Sequence, residues 1–319
     1  MKIAVLDDWQ QIAESSADWS PLKARAEVTV FHKPFASEDE AAKALADFDI
    51  LMVIRERTAF PASLLDRLPK LKMFAMTGKR GSSLDLAGML KRGVTVSTTG
   101  GGDDGSGTAQ LALALMLAAA RGVAKGDAAI RAGRFQEGVP TGLDLTGKTL
   151  GLIGFGRIGQ LMGRYAAALG MNIVAWSPNL TEERAREGGG TYATKDELLA
   201  KSDVISLHIV LSDRTRGLIG APDLARMKDS AILVNTSRGP LINEAALIAT
   251  LKQGRLFAAL DVFDKEPLPA DHPFRSLSNT ALTPHLGYGT QQTFDAFYKQ
   301  SIENVLAFLD GKPIRLLEL

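Results

Sequence analysis

Short apolar runs alternate along the chain with stretches of helical spacing, from its first residues to its last. Apolar runs of this kind read as strands buried on both faces, and their alternation with helices is the pattern of parallel sheets covered by helices. In the first part of the chain the strand candidates are 2–6 (K-I-A-V-L), 27–31 (E-V-T-V-F), 50–54 (I-L-M-V-I), 71–76 (L-K-M-F-A-M) and 93–97 (G-V-T-V-S), with helices between them, for example over 38–46 and 84–91. A Gly/Asp-rich stretch, T-G-G-G-D-D-G-S-G (99–107), marks a boundary. The run L-A-L-A-L-M-L-A-A-A (111–120) then predicts a buried helix, because Ala and Leu are strong helix formers. A second unit starts near Leu143 as strand, glycine turn and helix. Further strands are expected at 172–176, 203–207, 231–234, 257–261 and 280–282. The last stretch, 290–309, has helical spacing and is long enough to cross back over the first domain. At 319 residues the chain exceeds the usual size of one core, so the expectation is two domains.

The glycine turn carries the first chemistry. Gly154, Gly156 and Gly159 form G-x-G-x-x-G directly after an apolar strand and before a helical pattern. The first glycine permits the tight turn, the second lets backbone approach a pyrophosphate, and the third lets helix pack on strand. The phosphates then sit at a helix N-terminus, where N–H groups and the dipole favour anions. The glycines at 100–107 are a poorer candidate, since their two aspartates repel phosphate. In a dinucleotide site the following strand, 172–176, should end in Asp or Glu to bind the adenosine ribose, but the position holds Ser177.

Composition narrows the classes. A net charge of +1 gives no support for nucleic-acid or membrane partners, which would want a basic face, and none is expected. The absence of cysteine removes disulfides, thiolate catalysis and Cys-ligated metals, and no metal is expected. The start, M-K-I-A-V-L-D-D-W, lacks the apolar core of a secretory signal, and the run 111–120 is about half the length needed to span a bilayer. A cytoplasmic protein is expected.

Three stretches at predicted strand ends supply an Arg, a Glu and a His: V-N-T-S-R-G-P (234–240), A-L-D-V-F-D-K-E-P (259–267) and T-P-H-L-G-Y (283–288). Oxidation of a 2-hydroxy acid needs a cation for the carboxylate, a base for the hydroxyl proton and a place for the hydride. Guanidinium is the suitable fork for a carboxylate. Histidine titrates near neutral pH, and a neighbouring carboxylate favours its protonated form. Taken singly, the arginine reads as a surface cation and Glu266 as a loop acid. The four histidines are His32, His208, His272 and His285; His32 and His272 sit in plain loop contexts and are expected to face solvent.

The fingerprint, N-T-S-R-G, D-V-F-x-x-E-P and T-P-H-x-G-Y, in this order, resemble the D-isomer-specific 2-hydroxyacid dehydrogenase family, and the resemblance covers nearly the whole chain. The resemblance implies an enzyme in which Arg238 binds and polarises the substrate carboxylate and carbonyl, His285 is the acid/base, and Glu266 hydrogen-bonds its imidazole. It implies that Asp261 holds the nicotinamide carboxamide, that Arg157, Ile158 and Thr236 join the three glycines around the cofactor, and that His208 (S-L-H-I-V-L) lies beside the cofactor, with Val210 at the usual proline. It implies a doubly wound Rossmann domain, 101–287, inserted into a flavodoxin-like substrate domain, 1–100 plus 288–319. A homodimer through the nucleotide domain is also implied, with an arm near 120–147 embracing the partner. On the substrate side the family loop commonly reads G-V-G, where this chain has T-G-K-R-G; Gly78 is kept, and Lys79 and Arg80 add cations suited to a second negative charge. Arg55 and Arg57, in I-R-E-R-T, resemble the R-x-R-T stretch of phosphoglycerate dehydrogenases, though they also read as surface charges beside Glu56. Against a firm assignment to phosphoglycerate, the chain stops soon after Leu309, without the length for a regulatory domain, although short members of that branch exist. With Ser177 removing the carboxylate that repels a 2′-phosphate, the expected cofactor is NADP(H), with NAD(H) tolerated; Arg184 on the next helix is a solvated cation within reach. Close relatives with formate dehydrogenase activity carry Gln where Glu266 stands. The competing reading is a dinucleotide-sensing corepressor-like protein.

Overall fold

The computed structural model describes residues 1–78, 81, 83–100 and 104–318. The chain forms two compact units, Met1–Asp103 with Thr290–Leu319, and Asp104–Gly289. Residues 104–142 therefore belong to the second unit, well before the start near Leu143 that strand spacing suggests.

The first unit is a parallel sheet of β1 (Lys2–Val5), β2 (Glu27–Val30), β3 (Ile50–Val53), β4 (Met73–Met76) and β5 (Thr95–Thr98), in the order β2-β1-β3-β4-β5. This is the flavodoxin-like order, in which the chain changes direction at the β1–β3 pair. Strands β3 and β4 are buried along their whole length, which is why they read as unbroken apolar runs. The helix Gln291–Leu309 returns to this unit through Phe294, Phe297, Tyr298, Ile302 and Val305, and Asn304 donates a buried hydrogen bond to Thr98 O (2.9 Å). Just beyond it the chain pairs with β5, with Leu317 N donating to Val96 O and Thr98 N to Arg315 O (both 2.9 Å).

At the carboxyl end of β1, Asp7 is 5% exposed and accepts from Thr58 Oγ1 (2.9 Å) and Thr58 N (3.3 Å). Burial pushes its carboxyl up to about 6, against the opposing pull of the Thr58 hydrogen bonds and the Arg57 charge. The folded chain therefore holds a proton here that the unfolded chain releases near 3.8. Stability consequently falls as pH rises through that window, and the penalty of about 3 kcal/mol is complete above it. Asp7→Asn keeps the shape and tolerates the left-handed φ of 64°. It should raise the melting temperature at pH 7.5 and give almost no gain at pH 3, below both values, and an equal effect at both pH values would refute the assignment.

The second unit is a seven-stranded parallel sheet of β6 (Thr149–Ile153), β7 (Asn172–Trp176), β8 (Thr191–Tyr192), β9 (Val204–Leu207), β10 (Ile232–Asn235), β11 (Phe257–Leu260) and β12 (Thr280–Leu282), ordered β12-β11-β10-β9-β6-β7-β8. This is the doubly wound Rossmann order, with its switch point between β6 and β9. Alternate residues serve two cores. Leu150, Leu152, Val204, Ile232 and Val234 pack under the helix Ser106–Arg121 through Ala112, Leu115 and Met116. Ile153, Ile205, Leu207, Leu233 and Leu260 pack against Leu198, Leu224, Leu247 and Leu251 on the other face. The apolar run 111–120 is thus core helix, and it begins at Ser106, inside the stretch that composition marks as a linker. Among the described residues no single helix is long and apolar enough to cross a membrane.

Candidate active site

Every predicted site residue of the second unit lies at or just beyond the carboxyl end of a strand or in the helix that follows, the edge where open α/β sheets bind ligands. β6 runs into Gly154, whose φ of +96° and close approach exclude a side chain: a methyl there would lie 2.3 Å from His208 O. A methyl on Gly159 would lie 2.2 Å from Gly154 O, so the helix Arg157–Ala168 seats directly on the turn. Gly156 differs, since a methyl there meets nothing within 4 Å; it opens the space in front of a helix N-terminus that carries no side-chain cap. That cradle suits a pyrophosphate on the helix N–H groups, flanked by Arg157 and Ile158. Thr236 Oγ1 and His208 Nδ1 are buried with no hydrogen-bond partner, two further polar atoms that a dinucleotide can satisfy.

His208 bonds Ser206 Oγ through Nε2 (2.9 Å), and burial pushes it down to about 4, so the ring is neutral at physiological pH and unsuited to exchanging protons there. Ser177 follows β7 and accepts from Leu180 N (3.1 Å), closing the turn over Pro178 and Asn179. Arg184, on the helix Glu182–Glu187 capped by Thr181, reaches back to donate to Asn179 O (3.2 Å). The ribose edge is thus a serine with one guanidinium near the same turn.

Arg238 sits two residues beyond Thr236, at the end of β10, in a turn built by its neighbours. Asn235 Nδ2 donates to Arg238 O (2.8 Å), Asn235 Oδ1 accepts from Ser237 N (3.0 Å), and Ser237 Oγ donates to Leu207 O (2.7 Å). Gly239 then passes against the segment that leads to Glu266: a methyl on it would lie 2.1 Å from the carbonyl carbon of Phe263. Close backbone approach therefore brings the N-T-S-R-G and D-V-F-D-K-E-P motifs together.

Asp261, fully buried at the end of β11, accepts Thr283 Oγ1 (2.7 Å) and Leu286 N (2.7 Å) on Oδ1 and Gly287 N (2.9 Å) on Oδ2. Burial pushes its carboxyl up, opposed by these hydrogen bonds and by His285. Its carbonyl accepts His285 N (2.8 Å). Asp261 is therefore the bracket of the T-P-H-L-G loop, a task the resemblance did not imply, and Oδ2 keeps a lone pair for a carboxamide. The loop holds His285 at a φ of +55°, a left-handed conformation unusual for histidine and maintained only by such bracing. Nδ1 of His285 lies 2.5 Å from Glu266 Oε2, while Glu266 Oε1 accepts Phe263 N (3.0 Å). Tyr288 packs edge-on to the imidazole.

In the first unit, Arg55 and Gly78 come together: a methyl on Gly78 would lie 2.6 Å from Arg55 Nη1. Arg57 lies over the Trp9 ring, 5.1 Å from its centroid. Lys79 and Arg80 fall outside the described residues. One expectation is corrected. His272 is not a solvent-facing loop residue; its side chain is 13% exposed and Nε2 lies 3.0 Å from Glu244 Oε1. His32 is half-exposed beside Asp8. Asn235, Ser237 and Thr283 complete these turns, and their only signal in the sequence is an Asn and two hydroxyls placed at strand ends, where turns recruit them.

The family model described as "D-isomer specific 2-hydroxyacid dehydrogenase, NAD binding domain" matches residues 113–287. A D-3-phosphoglycerate dehydrogenase of Archaeoglobus fulgidus is 34% identical over 99% of this chain, and the chain spans 58% of that relative's length. A hydroxypyruvate reductase of Thermotoga maritima is 38% identical over 85% of this chain and 87% of its own. The crystal structure of a phosphoglycerate oxidoreductase from Vibrio cholerae superposes with a TM-score of 0.92 at 36% identity, covering 98% of this chain and 99% of that one. The order of the strands, the glycine cradle, the bracketed histidine and these similarities agree: the chain belongs to the D-isomer-specific 2-hydroxyacid dehydrogenase family.

Proposed function

We propose that the chain is an oxidoreductase that moves a hydride between a nicotinamide cofactor and C2 of a D-2-hydroxy acid or its 2-oxo acid. The observation that carries this reading is the His285–Glu266 pair, formed between the loops after β12 and β11, the second of which packs on Gly239 beside Arg238. When bound, the nicotinamide supplies or accepts the hydride. Arg238 binds the substrate carboxylate and draws electron density from the carbonyl. In the reducing direction, Nε2 of His285 gives its proton to the oxygen that gains charge. Glu266, on Nδ1, fixes the tautomer and stabilises the imidazolium before transfer. Asp261 and Thr283 keep the ring where the proton is needed. Arg55 beside Gly78, with Arg57 nearby in sequence, supports an anionic or phosphorylated substrate.

Ser177 supports NADP(H) over NAD(H), because no carboxylate stands at the ribose edge to repel a 2′-phosphate. Val123, Ile130 and Phe135 are 56%, 58% and 71% exposed along the segment after the core helix, which supports assembly of a homodimer through the nucleotide-binding unit. The test is a panel of glyoxylate, hydroxypyruvate, pyruvate, longer 2-oxo acids and phosphohydroxypyruvate, each followed by nicotinamide absorbance with NADPH and NADH in turn. Turnover of at least one acid is expected, with NADPH preferred. Ser177→Asp should reverse that preference by about tenfold or more, the effect of one repelled charge. Tight cofactor binding without turnover of any acid selects a sensor instead.

A further inference from the structure

The proposed chemistry uses only the middle of the loop between Asp261 and Pro273. The far end of that loop is held by a contact remote from the reacting groups. Glu244, the first residue of the helix Glu244–Lys252, accepts His272 Nε2 on Oε1 (3.0 Å), and its Oε2 receives the Asp264 N–H at 3.5 Å. Nδ1 of His272 accepts Phe274 N (3.3 Å), so the ring hydrogen sits on Nε2 and points to Glu244. The imidazole packs on the Phe274 ring with centroids 4.9 Å apart, and Phe274 packs on Phe263 at 6.3 Å. The backbone N–H of Phe263 is the one donated to Glu266 Oε1. An unbroken path of contacts therefore runs from Glu244 through His272, Phe274 and Phe263 to the carboxylate that meets His285.

We propose that Glu244 and His272 form a clamp that positions Glu266 against the acid/base histidine. The pair is a structural support with a catalytic consequence. Charge-assisted contacts depend steeply on separation, and the 2.5 Å approach of Glu266 to His285 is the one that a sliding loop loses first. Neither clamp residue belongs to the carboxylate site or the glycine cradle. The Phe263 backbone also backs Gly239 beside Arg238, so loss of the clamp should act on kcat well beyond any effect on substrate KM and should spare the cofactor. The inference rests on the reading of His285 and Glu266 as the acid/base pair.

The experiment compares Glu244→Ala, His272→Leu, Glu266→Gln and the double variant Glu244→Ala/Glu266→Gln in steady-state reduction of the best 2-oxo acid with NADPH. Each clamp variant should lower kcat about tenfold with NADPH affinity unchanged and substrate KM shifted by no more than about twofold, the signature of a misplaced catalytic group. Glu266→Gln should cost more, and adding Glu244→Ala to it should cost nothing further, because the clamp acts only through Glu266. The clamp is overturned if the two losses multiply, or if Glu244→Ala and His272→Leu lower the melting temperature while kcat holds. If Glu266→Gln itself leaves kcat intact, the acid/base reading fails together with the clamp.

Discussion

His285→Ala should lower turnover of the 2-oxo acid by about 10³-fold or more, the upper part of what a positioned acid/base contributes, and should leave nicotinamide cofactor affinity within about twofold. The two halves of this expectation come from different parts of the fold. The cofactor cradle is made by Gly154, Gly156 and the helix Arg157–Ala168 after β6, and none of its atoms depends on the imidazole. His285 is instead held from behind, by Asp261 through Leu286 N and Gly287 N and by Glu266 at Nδ1. Removing the ring leaves that backbone bracket in place, so the loss is chemical and not a collapse of the loop. His208 cannot substitute, since burial pushes it down to about 4 and its Nε2 is engaged with Ser206. Steady-state rates with a fluorescence titration of NADPH decide the matter, and undiminished turnover in the variant sinks the acid/base assignment.

The parts of the molecule legible in its sequence are those set by local pattern. β3 and β4 announce themselves because both faces are covered, so every residue is apolar. The helix at 182–187 is visible in T-E-E, where Thr181 caps and two acids follow. β8, only Thr191–Tyr192, has no room for a period and was missed. The catalytic motifs are legible for a related reason, because each joins a strand to a turn whose chemistry is local. What is not legible lies in tertiary pairing. His272 meets Glu244 across 28 residues, and nothing in D-H-P-F tells whether its imidazole is wet or buried. Asp7 reads as a loop acid after an apolar strand, yet its burial depends on Thr58, 51 residues away. Gly239 looks like a turn glycine and proves to be a close-approach glycine, because the backbone it must pass belongs to the next strand's loop.

Arg238→Lys, although it keeps the positive charge, should lower kcat/KM for the 2-oxo acid by about 10²-fold, because charge alone does not orient a planar carboxylate. The structure spends several interactions on the direction of this side chain. Asn235 brackets its turn from both sides, Ser237 ties the turn to β9, and Arg238 Nη1 donates to Ser237 O at 2.7 Å. The contact with Ser237 O fixes the plane of the guanidinium, whose fork geometry matches two carboxylate oxygens at once. A lysine ammonium is a point charge on a flexible stem, and the same bracket cannot aim it. The deficit should appear in both kcat and KM, since a carboxylate that binds loosely also places the carbonyl poorly for His285. Cofactor affinity should not change, because the substitution leaves Thr236 and the glycine cradle after β6 as they are. A discriminating comparison uses an aldehyde or ketone of similar size without a carboxylate. The wild-type protein should reduce it slowly, and Arg238→Lys should cost far less on it than on the 2-oxo acid, because only the contact with the carbonyl is then left to lose. If the substitution depresses both substrates equally, Arg238 supports the fold of the turn and does not read the carboxylate.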